Sequence, residues 1–334
     1  MGSSSSLTPA LIEVCHLRGG RMQQLLESLQ LNAGHVEILP SGYHTQVTLI
    51  IHNGQHSVVK IISKKEFVDR MVAEELSRDI RTYHAMLRQV GILVPDISRI
   101  ELLPSSTGHD LVLIVPFEGY DAERKIESGE LTVAQVAEGV LHALKPLFLA
   151  HKDFVLDLGV DPKPANFVSC NGNNFHYVDW MPPRFVKNGV PLVEYEPPKS
   201  QEGQELAYFR SYDLRGILLV LQSQLSKLNP HARPAVKSLI FKFAGEVGPK
   251  IQDYLTSLVS ETVFSASAQE AASLVFQLQS RNIYELREIA CELVCRGRAN
   301  SDFLAKAFQL THFYDDVPEP KRFQQARDFI CSYL

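Results

Sequence analysis

"LDLGVDPKPANFVSCNGNNFHYVDW", Leu156 to Trp180, sets Asp161, Lys163, Asn166 and Asp179 at defined intervals in an otherwise apolar, strand-forming stretch. Polar groups are costly to bury without partners, so this spacing points to something that binds them. The stretch reads as a loop and then a small hairpin, "NFVSC" and "FHYVDW", joined by the "NGNN" turn. Magnesium prefers oxygen ligands and takes one or two carboxylates plus phosphate oxygens. Asn166 and Asp179, on either side of the hairpin, suit a magnesium-bound triphosphate. Asp161, five residues before the asparagine, can accept a hydrogen bond from an attacking hydroxyl and orient it. Lys163 lies between them, where it can offset charge on a transferring phosphoryl group. Taken singly, Asp-Pro and Asn are common turn residues that bond their own backbone; the joint spacing with Asp179 outweighs that reading.

Upstream, "VEILPSGYHTQVTLIIHNGQHSVVKII" (36–62) is rich in Val, Ile and Thr, and "HNGQ" between two such runs signals a hairpin. A three-stranded meander is expected. It ends on Lys60, placed to hold nucleotide phosphates if an acid on the following helix positions it. "KKEFVDRMVAEELSRDIRTYHAMLRQVG" (64–91) carries Met71, Leu76, Ile80, Tyr83 and Leu87 at helical spacing and closes on Gly91. Glu75 and Asp79 stand one turn apart on it, with Glu74 beside them, as alternative partners of Lys60. "ILVPDISRIELL" and "HDLVLIVPFEG" give two more strands. Downstream, Val133, Val136, Val140, Leu144 and Leu147 recur at helical spacing, with Thr132 as cap and Pro146 expected to end or bend the helix. A proline-rich loop runs from Met181 to Gly203, and its Arg184, Lys187 and Lys199 can shape an acceptor site or simply face solvent. From Tyr208 onward the text is nearly all amphipathic helix.

The 334 residues, 45% hydrophobic and 21% charged, are ordinary globular composition, enough for one large domain or two lobes. A net charge of -5 argues against a general nucleic-acid binder, which needs a basic excess to neutralise phosphates. No apolar run reaches the roughly 20 residues that cross a bilayer, and "MGSSSS" lacks the apolar core of a signal peptide. No membrane partner is therefore expected. Cys15, Cys170, Cys291, Cys295 and Cys331 are scattered, without the spacing of a zinc site or disulfide framework. Cys291 and Cys295, one turn apart, read as packing residues, and the whole as a reduced, cytoplasmic protein.

These residues resemble the protein-kinase-like superfamily. The protein-kinase catalytic loop reads H-R-D-x-K-x-x-N, and "GVDPKPAN" keeps Asp161, Lys163 and Asn166; "VDW" stands where the family has D-F-G, and "VVKII" where it has V-A-I-K. The order of the motifs carries more weight than any one of them. "SYDLRGILLVL" is similar to the family's central helix, whose leading acid, here Asp213, hydrogen-bonds the catalytic-loop backbone; the plainer reading of Asp213 is a helix-terminal acid facing the dipole. The resemblance covers roughly residues 36–221. Three departures point away from a protein kinase: Gly159 in place of the loop histidine, a nucleotide-covering loop "LPSGYHTQV" with Gly42 alone, and "PPRF" with no A-P-E after Asp179. They bring the chain nearer in character to the small-molecule kinases of the aminoglycoside and choline type. Lys163 pulls the other way, since D-x-K-x-x-N spacing is typical of the protein-kinase branch.

The resemblance implies an α+β, two-lobed kinase-like fold: a small antiparallel-sheet N-lobe and a large, mainly helical C-lobe. The segments are an N-terminal extension (1–35, partly helical), the N-lobe (36–118) and the helical lobe (119–334). It implies ATP and Mg2+, with Asn166 and Asp179 on the metal, Lys60 and Gly42 on the phosphates, and the hinge at Pro116, Phe117 and Glu118 against the adenine. Asp161 and Lys163 would be catalytic. The implied reaction is phosphorylation of a hydroxyl on a small-molecule substrate; the alternatives are a protein serine/threonine kinase and a nucleotide-binding pseudokinase or scaffold.

Overall fold

Runs of β-branched and apolar residues set the first strands of the computed structural model, which describes residues 35–39, 45–52, 54–63, 69–105, 108–151, 154–192, 201–258, 283–311 and 320–333. Strands β1 (His35–Leu39), β2 (Thr45–His52) and β3 (Gln55–Ser63) form the expected meander. The β2–β3 hairpin pairs His52 with Gln55, and its turn residue Gly54 has φ 76°. With β4 (Arg99–Ser105) and β5 (Gly108–Pro116) they make an antiparallel sheet of order β1-β2-β3-β5-β4. One face is a cluster of Ile50, Val59, Ile61, Val112 and Ile114, with Leu103 against it. Gly42 and the rest of its loop, the extension up to residue 34, and Lys199 lie outside the described residues.

Helix α1 (Arg70–Val90) comes after the sheet's first three strands. It ends as its sequence suggests: Gly91 takes φ 100°, its amide donates to the Arg88 carbonyl at 3.0 Å, and Ile92 N–H donates to Leu87 at 2.9 Å. Only a residue comfortable at positive φ closes a helix in this double-bonded way. "ILVPDISRIELL" is strand only from Arg99; the stretch before it is irregular. Pro95 has no N–H to give a ladder.

The chain divides into two compact units, Met1–Ser77 with Asp96–Phe117, and Arg78–Pro95 with Glu118–Leu334. Residues 78–95 group with the helical unit through specific bonds. Tyr83 Oη donates to the Gly159 carbonyl at 2.7 Å, and Tyr177 N–H donates to the Leu93 carbonyl at 2.8 Å.

The helical unit opens with β6 (Tyr120–Asp121), α2 (Ala122–Glu127) and α3 (Val133–Ala150). Thr132 caps α3 in a capping box with Gln135. Pro146 stands inside the helix, which runs on to Ala150, so the helix ends within about one turn of it. Leu147 and Phe148 beyond the proline are fully buried, and Phe148 meets Phe243 edge-on at 5.1 Å, packing that offsets the missing backbone bond. By length and composition α3 is apolar enough to cross a membrane, but half of it is buried inside the protein, as in a core helix. Strands β7 (Phe167–Ser169) and β8 (His176–Tyr177) form the hairpin read from the sequence, and β6 joins it in a three-stranded sheet. A second small hairpin pairs β9 (Val186–Lys187) with β10 (Val190–Pro191).

Among the described residues the remaining helices are α4 (Gln201–Tyr212), α5 (Leu214–Leu228), α6 (Arg233–Val247), α7 (Pro249–Leu258), α8 (Ile283–Cys295), α9 (Ser301–Leu310) and α10 (Pro320–Cys331). Helix α5 is buried along most of its length. A buried ionic network ties α5 and α6 to α8: Arg233 donates to Glu288 at 2.8 Å and to Glu292 at 2.6 Å, and Gln222 donates to Glu288 at 3.3 Å. Cys291, buried in the α8–α10 cluster, is a packing residue as expected. The fold is therefore α+β, a small antiparallel-sheet unit and a mainly helical one, and the succession of elements is the one that the kinase-like resemblance implies.

Replacing Thr132 by Ala removes the hydroxyl that receives the Gln135 amide. We expect this to lower stability by about 1 kcal/mol, read as a shifted denaturant midpoint with unchanged slope.

Candidate active site

The loop from Leu156 to Asn166 has little regular structure of its own, so its backbone groups must find partners elsewhere. They do so on two neighbouring segments. Leu156 and Val160 N–H donate to the carbonyls of Tyr212 and Ser211, and Gly159 N–H donates to that of Arg184 at 2.8 Å. Leu214 N–H in turn donates to Phe154. Asp213 sits at this junction as the cap of α5: its Oδ1 accepts from Arg215 N–H at 2.9 Å, and its carboxylate pairs with the Arg215 guanidinium. The plainer of its two sequence readings is thus directly visible.

Gly159, the departure from the catalytic-loop histidine, has a steric cause. A Cβ there would lie 2.8 Å from the Ser211 carbonyl oxygen and 3.1 Å from the Tyr212 ring. Two tyrosines hold the loop instead. Tyr83 reaches from α1 to the Gly159 carbonyl, and the hydroxyl of Tyr177, on β8, accepts from Asp161 N–H at 3.0 Å. Burial raises the pKa of both phenols, so they remain neutral hydrogen-bonding groups.

Four of the residues singled out in the sequence converge. Asp161 is 2% exposed, with Lys163 Nζ 3.1 Å from its Oδ2. Asn166 Nδ2 donates to the Asp161 carbonyl at 3.1 Å and to Asp179 Oδ2 at 3.3 Å, so the hairpin does bring the amide and the second carboxylate together. Two residues complete the cluster. Arg184, 2% exposed, donates through Nη1 to Asp179 Oδ2 at 2.9 Å and has Nη2 3.8 Å from Asp161 Oδ2. Arg210, also 2% exposed, donates to Asp161 Oδ2 at 3.1 Å. Arg184 is therefore not a cation in solvent, and Arg210 carried no sequence signal. These contacts to the two carboxylates all use Oδ2; among the described residues Asp161 Oδ1 is buried without a hydrogen-bond partner.

The charges decide the protonation. Burial alone would raise the pKa of Asp161, but Arg210, Lys163 and Arg184 outweigh it and hold the carboxyl well below its ordinary 3.8. Burial likewise works against charge on Arg184, yet Asp179, Tyr177 and Asp161 keep it protonated. A carboxylate depressed on folding contributes stability that is complete above its unfolded value near 3.8 and is lost as pH falls towards the folded one.

Lys60 pairs in register between Val47 and Leu113 and shares its face of β3 with Val58 and Ile62. Glu75 is exposed and Glu74 pairs with Arg70 at 2.7 Å, while Asp79 receives the ammonium of Lys187 on both oxygens, at 2.8 and 2.9 Å. Lys187 thus anchors the β9–β10 hairpin to α1, a role that the loop reading of its sequence did not include. Pro116 ends β5 and Phe117 N–H donates to the His56 carbonyl at 3.2 Å, which takes up that amide; Glu118 lies 3.8 Å from His176. Trp180 is buried and meets His84 edge-on at 5.0 Å. Among the described residues no group of three or more His, Cys, Asp or Glu is placed to hold a metal by itself.

No family model and no curated protein matches the chain by sequence. Among solved structures it is similar to a MAP kinase, LmaMPK10 from Leishmania major, with 14% identity and a TM-score of 0.40 over 94% of this chain and 87% of that one. A likeness of that size carries no argument about function, which rests on the geometry of the site.

Gly159→Ala should cost about 1–3 kcal/mol by overpacking against Ser211 and Tyr212, measured by chemical denaturation. An unchanged midpoint would show that the loop backbone yields freely.

Proposed function

We propose that this protein belongs to the protein-kinase-like superfamily and transfers the γ-phosphoryl group of ATP, with Mg2+, to a hydroxyl on a small molecule. The observation that carries the reading is Asp161: a buried, ionised carboxylate with one oxygen unpartnered among the described residues, 3.1 Å from Lys163 and bound through its carbonyl to the amide that also meets Asp179. A structural carboxylate normally satisfies both oxygens when buried.

Asp161 Oδ1 would accept the hydrogen bond of the acceptor hydroxyl and aim its oxygen at the γ-phosphorus. Its depressed pKa makes it a weak base, so orientation is its main contribution and the proton passes late, as the new O–P bond forms and the β,γ-bridging bond breaks. Lys163 would offset charge on the transferring group. The donor set also fits one magnesium ion: Asp179 keeps Oδ1 clear of the Arg184 and Asn166 contacts, and Asn166, donating through Nδ2, has its carbonyl oxygen to offer. When bound, the ion would neutralise phosphate oxygens in the loose transition state.

The small-molecule acceptor is favoured by the segment beyond Asp179. Trp180, Met181, Arg184 and Phe185 are buried and Gly159 N–H binds the Arg184 carbonyl, so the start of this segment is structural and does not form an extended peptide platform. The reading of a nucleotide-binding protein without transfer is favoured by the Arg184–Asp179 ion pair, which occupies one oxygen of the expected metal ligand. Described cysteines 170, 291, 295 and 331 are all free thiols, in keeping with a reducing, cytoplasmic setting.

The test is transfer of label from γ-labelled ATP into a fractionated cell extract. Native protein should label a low-mass fraction, and Asp161→Asn should lower the rate about 100-fold or more, compared at a temperature where circular dichroism shows the variant to be folded. Label in polypeptide would move the acceptor to protein; no transfer with nucleotide bound would leave the non-transferring reading. Across about pH 5 to 7.5 the rate should show no acid limb from Asp161, because its pKa lies below that range. An acid limb that disappears in Asp161→Asn would contradict the assigned charge state.

A further inference from the structure

The hydroxyls of Tyr83 and Tyr177 touch the loop that carries Asp161, and the chemistry of their partners fixes the direction of each bond. A backbone carbonyl can only accept, so Tyr83 Oη donates to Gly159, at 2.7 Å. A backbone amide can only donate, so Tyr177 Oη accepts from Asp161, at 3.0 Å. The two hydroxyls also hydrogen-bond each other. The single proton of Tyr83 already points to the Gly159 carbonyl, which leaves Tyr177 as donor and Tyr83 as acceptor between them. The bonds therefore run one way, from Asp161 N–H to Tyr177, from Tyr177 to Tyr83, and from Tyr83 to the Gly159 carbonyl, closing on residues 159–161. Both tyrosines are wholly buried, so a group that loses its partner here has no water to turn to.

We infer that Tyr83 and Tyr177 are positioning residues that act as one unit: their closed ring of hydrogen bonds sets the backbone from which the Asp161 carboxylate projects, and each hydroxyl holds it only while the other is in place. Bonds in such a chain polarise one another, so they strengthen and fail together. Neighbouring polar groups are held separately, Val160 N–H by the Ser211 carbonyl and the Asp161 carbonyl by Asn166. The ring joins α1, β8 and the loop, and so makes the placing of Asp161 depend on Tyr83, 76 residues away from the carbonyl it holds. The part this plays in catalysis rests on the phosphotransferase reading; the ring itself does not.

The experiment is a double-mutant cycle on the full chain with Tyr83→Phe, Tyr177→Phe and the pair. In chemical denaturation each single variant should lower the midpoint. The pair should lower it by about three quarters of the two single shifts added together, because the bond between the hydroxyls is lost in both singles. Additive shifts would overturn the ring. In hydrogen exchange resolved by NMR, the native Asp161 amide should open together with that of Val160, and in Tyr83→Phe about tenfold or more faster relative to it, although Tyr83 does not touch that amide. The inference is overturned if Tyr83→Phe leaves that ratio unchanged. It is also overturned if the native Asp161 amide opens about tenfold faster than that of Val160, a result that needs no variant to fold. Followed by label transfer from ATP at a temperature where they are folded, the single variants should lose about tenfold or more in kcat and keep the KM for ATP within about twofold. An unchanged kcat would overturn the positioning role. Absence of transfer by the native protein would remove the phosphotransferase reading and leave the ring to be decided by the denaturation cycle and the exchange.

Discussion

The ion cluster of Arg184 and Arg210 around Asp161 and Asp179 is the constraint from which the helical unit takes its local shape. Each guanidinium is almost wholly removed from water, a state tolerable only with a carboxylate in direct contact. The loop carrying Asp161, the hairpin ending at Asp179, the segment after it and helix α4 must therefore meet at one point. The backbone bonds from Gly159 to Arg184 and from Val160 to Ser211 run along the same joins.

That constraint explains why Gly159 stands where a larger residue would be expected from the resemblance. With the loop pressed on Ser211 and Tyr212, a side chain at 159 has no room, and Tyr83 and Tyr177 supply polar contacts to the loop. The exchange leaves the geometry of Asp161 and Asn166 in place while altering its support. It also ties the second half of α1 to the loop, through Tyr83, and to the β9–β10 hairpin, through Asp79 and Lys187.

The electrostatics separate two roles that share the same residues. Cations around Asp161 lower its basicity, which weakens it as a proton acceptor but keeps it charged at neutral pH. The same cations would favour the negative charge of a phosphoryl group in the proposed reaction. Under the proposed phosphoryl transfer, a site built in this way would rely on alignment and charge neutralisation, the main sources of acceleration in that chemistry.

The strand meander, the Gly91 helix end, the Thr132 cap and the hairpin between Asn166 and Asp179 were all legible in the sequence, because each depends on turn chemistry or periodicity within a few residues. So were Asp161, Lys163, Asn166 and Asp179 as a group, since their spacing spans a single loop and hairpin. Pro146, expected to end or bend this helix near its last turn, stands inside it four residues before its end, followed by the buried Leu147 and Phe148. Arg184 looked like a loop cation and Arg210 like an ordinary helical one; that both lie beside Asp161 depends on contacts 23 and 49 residues apart in the chain, which no local pattern encodes. The sequence alone thus singled out a group of polar residues that come together, and the tertiary structure decided their charge state, because desolvation and ion pairing exist only once distant segments are packed together.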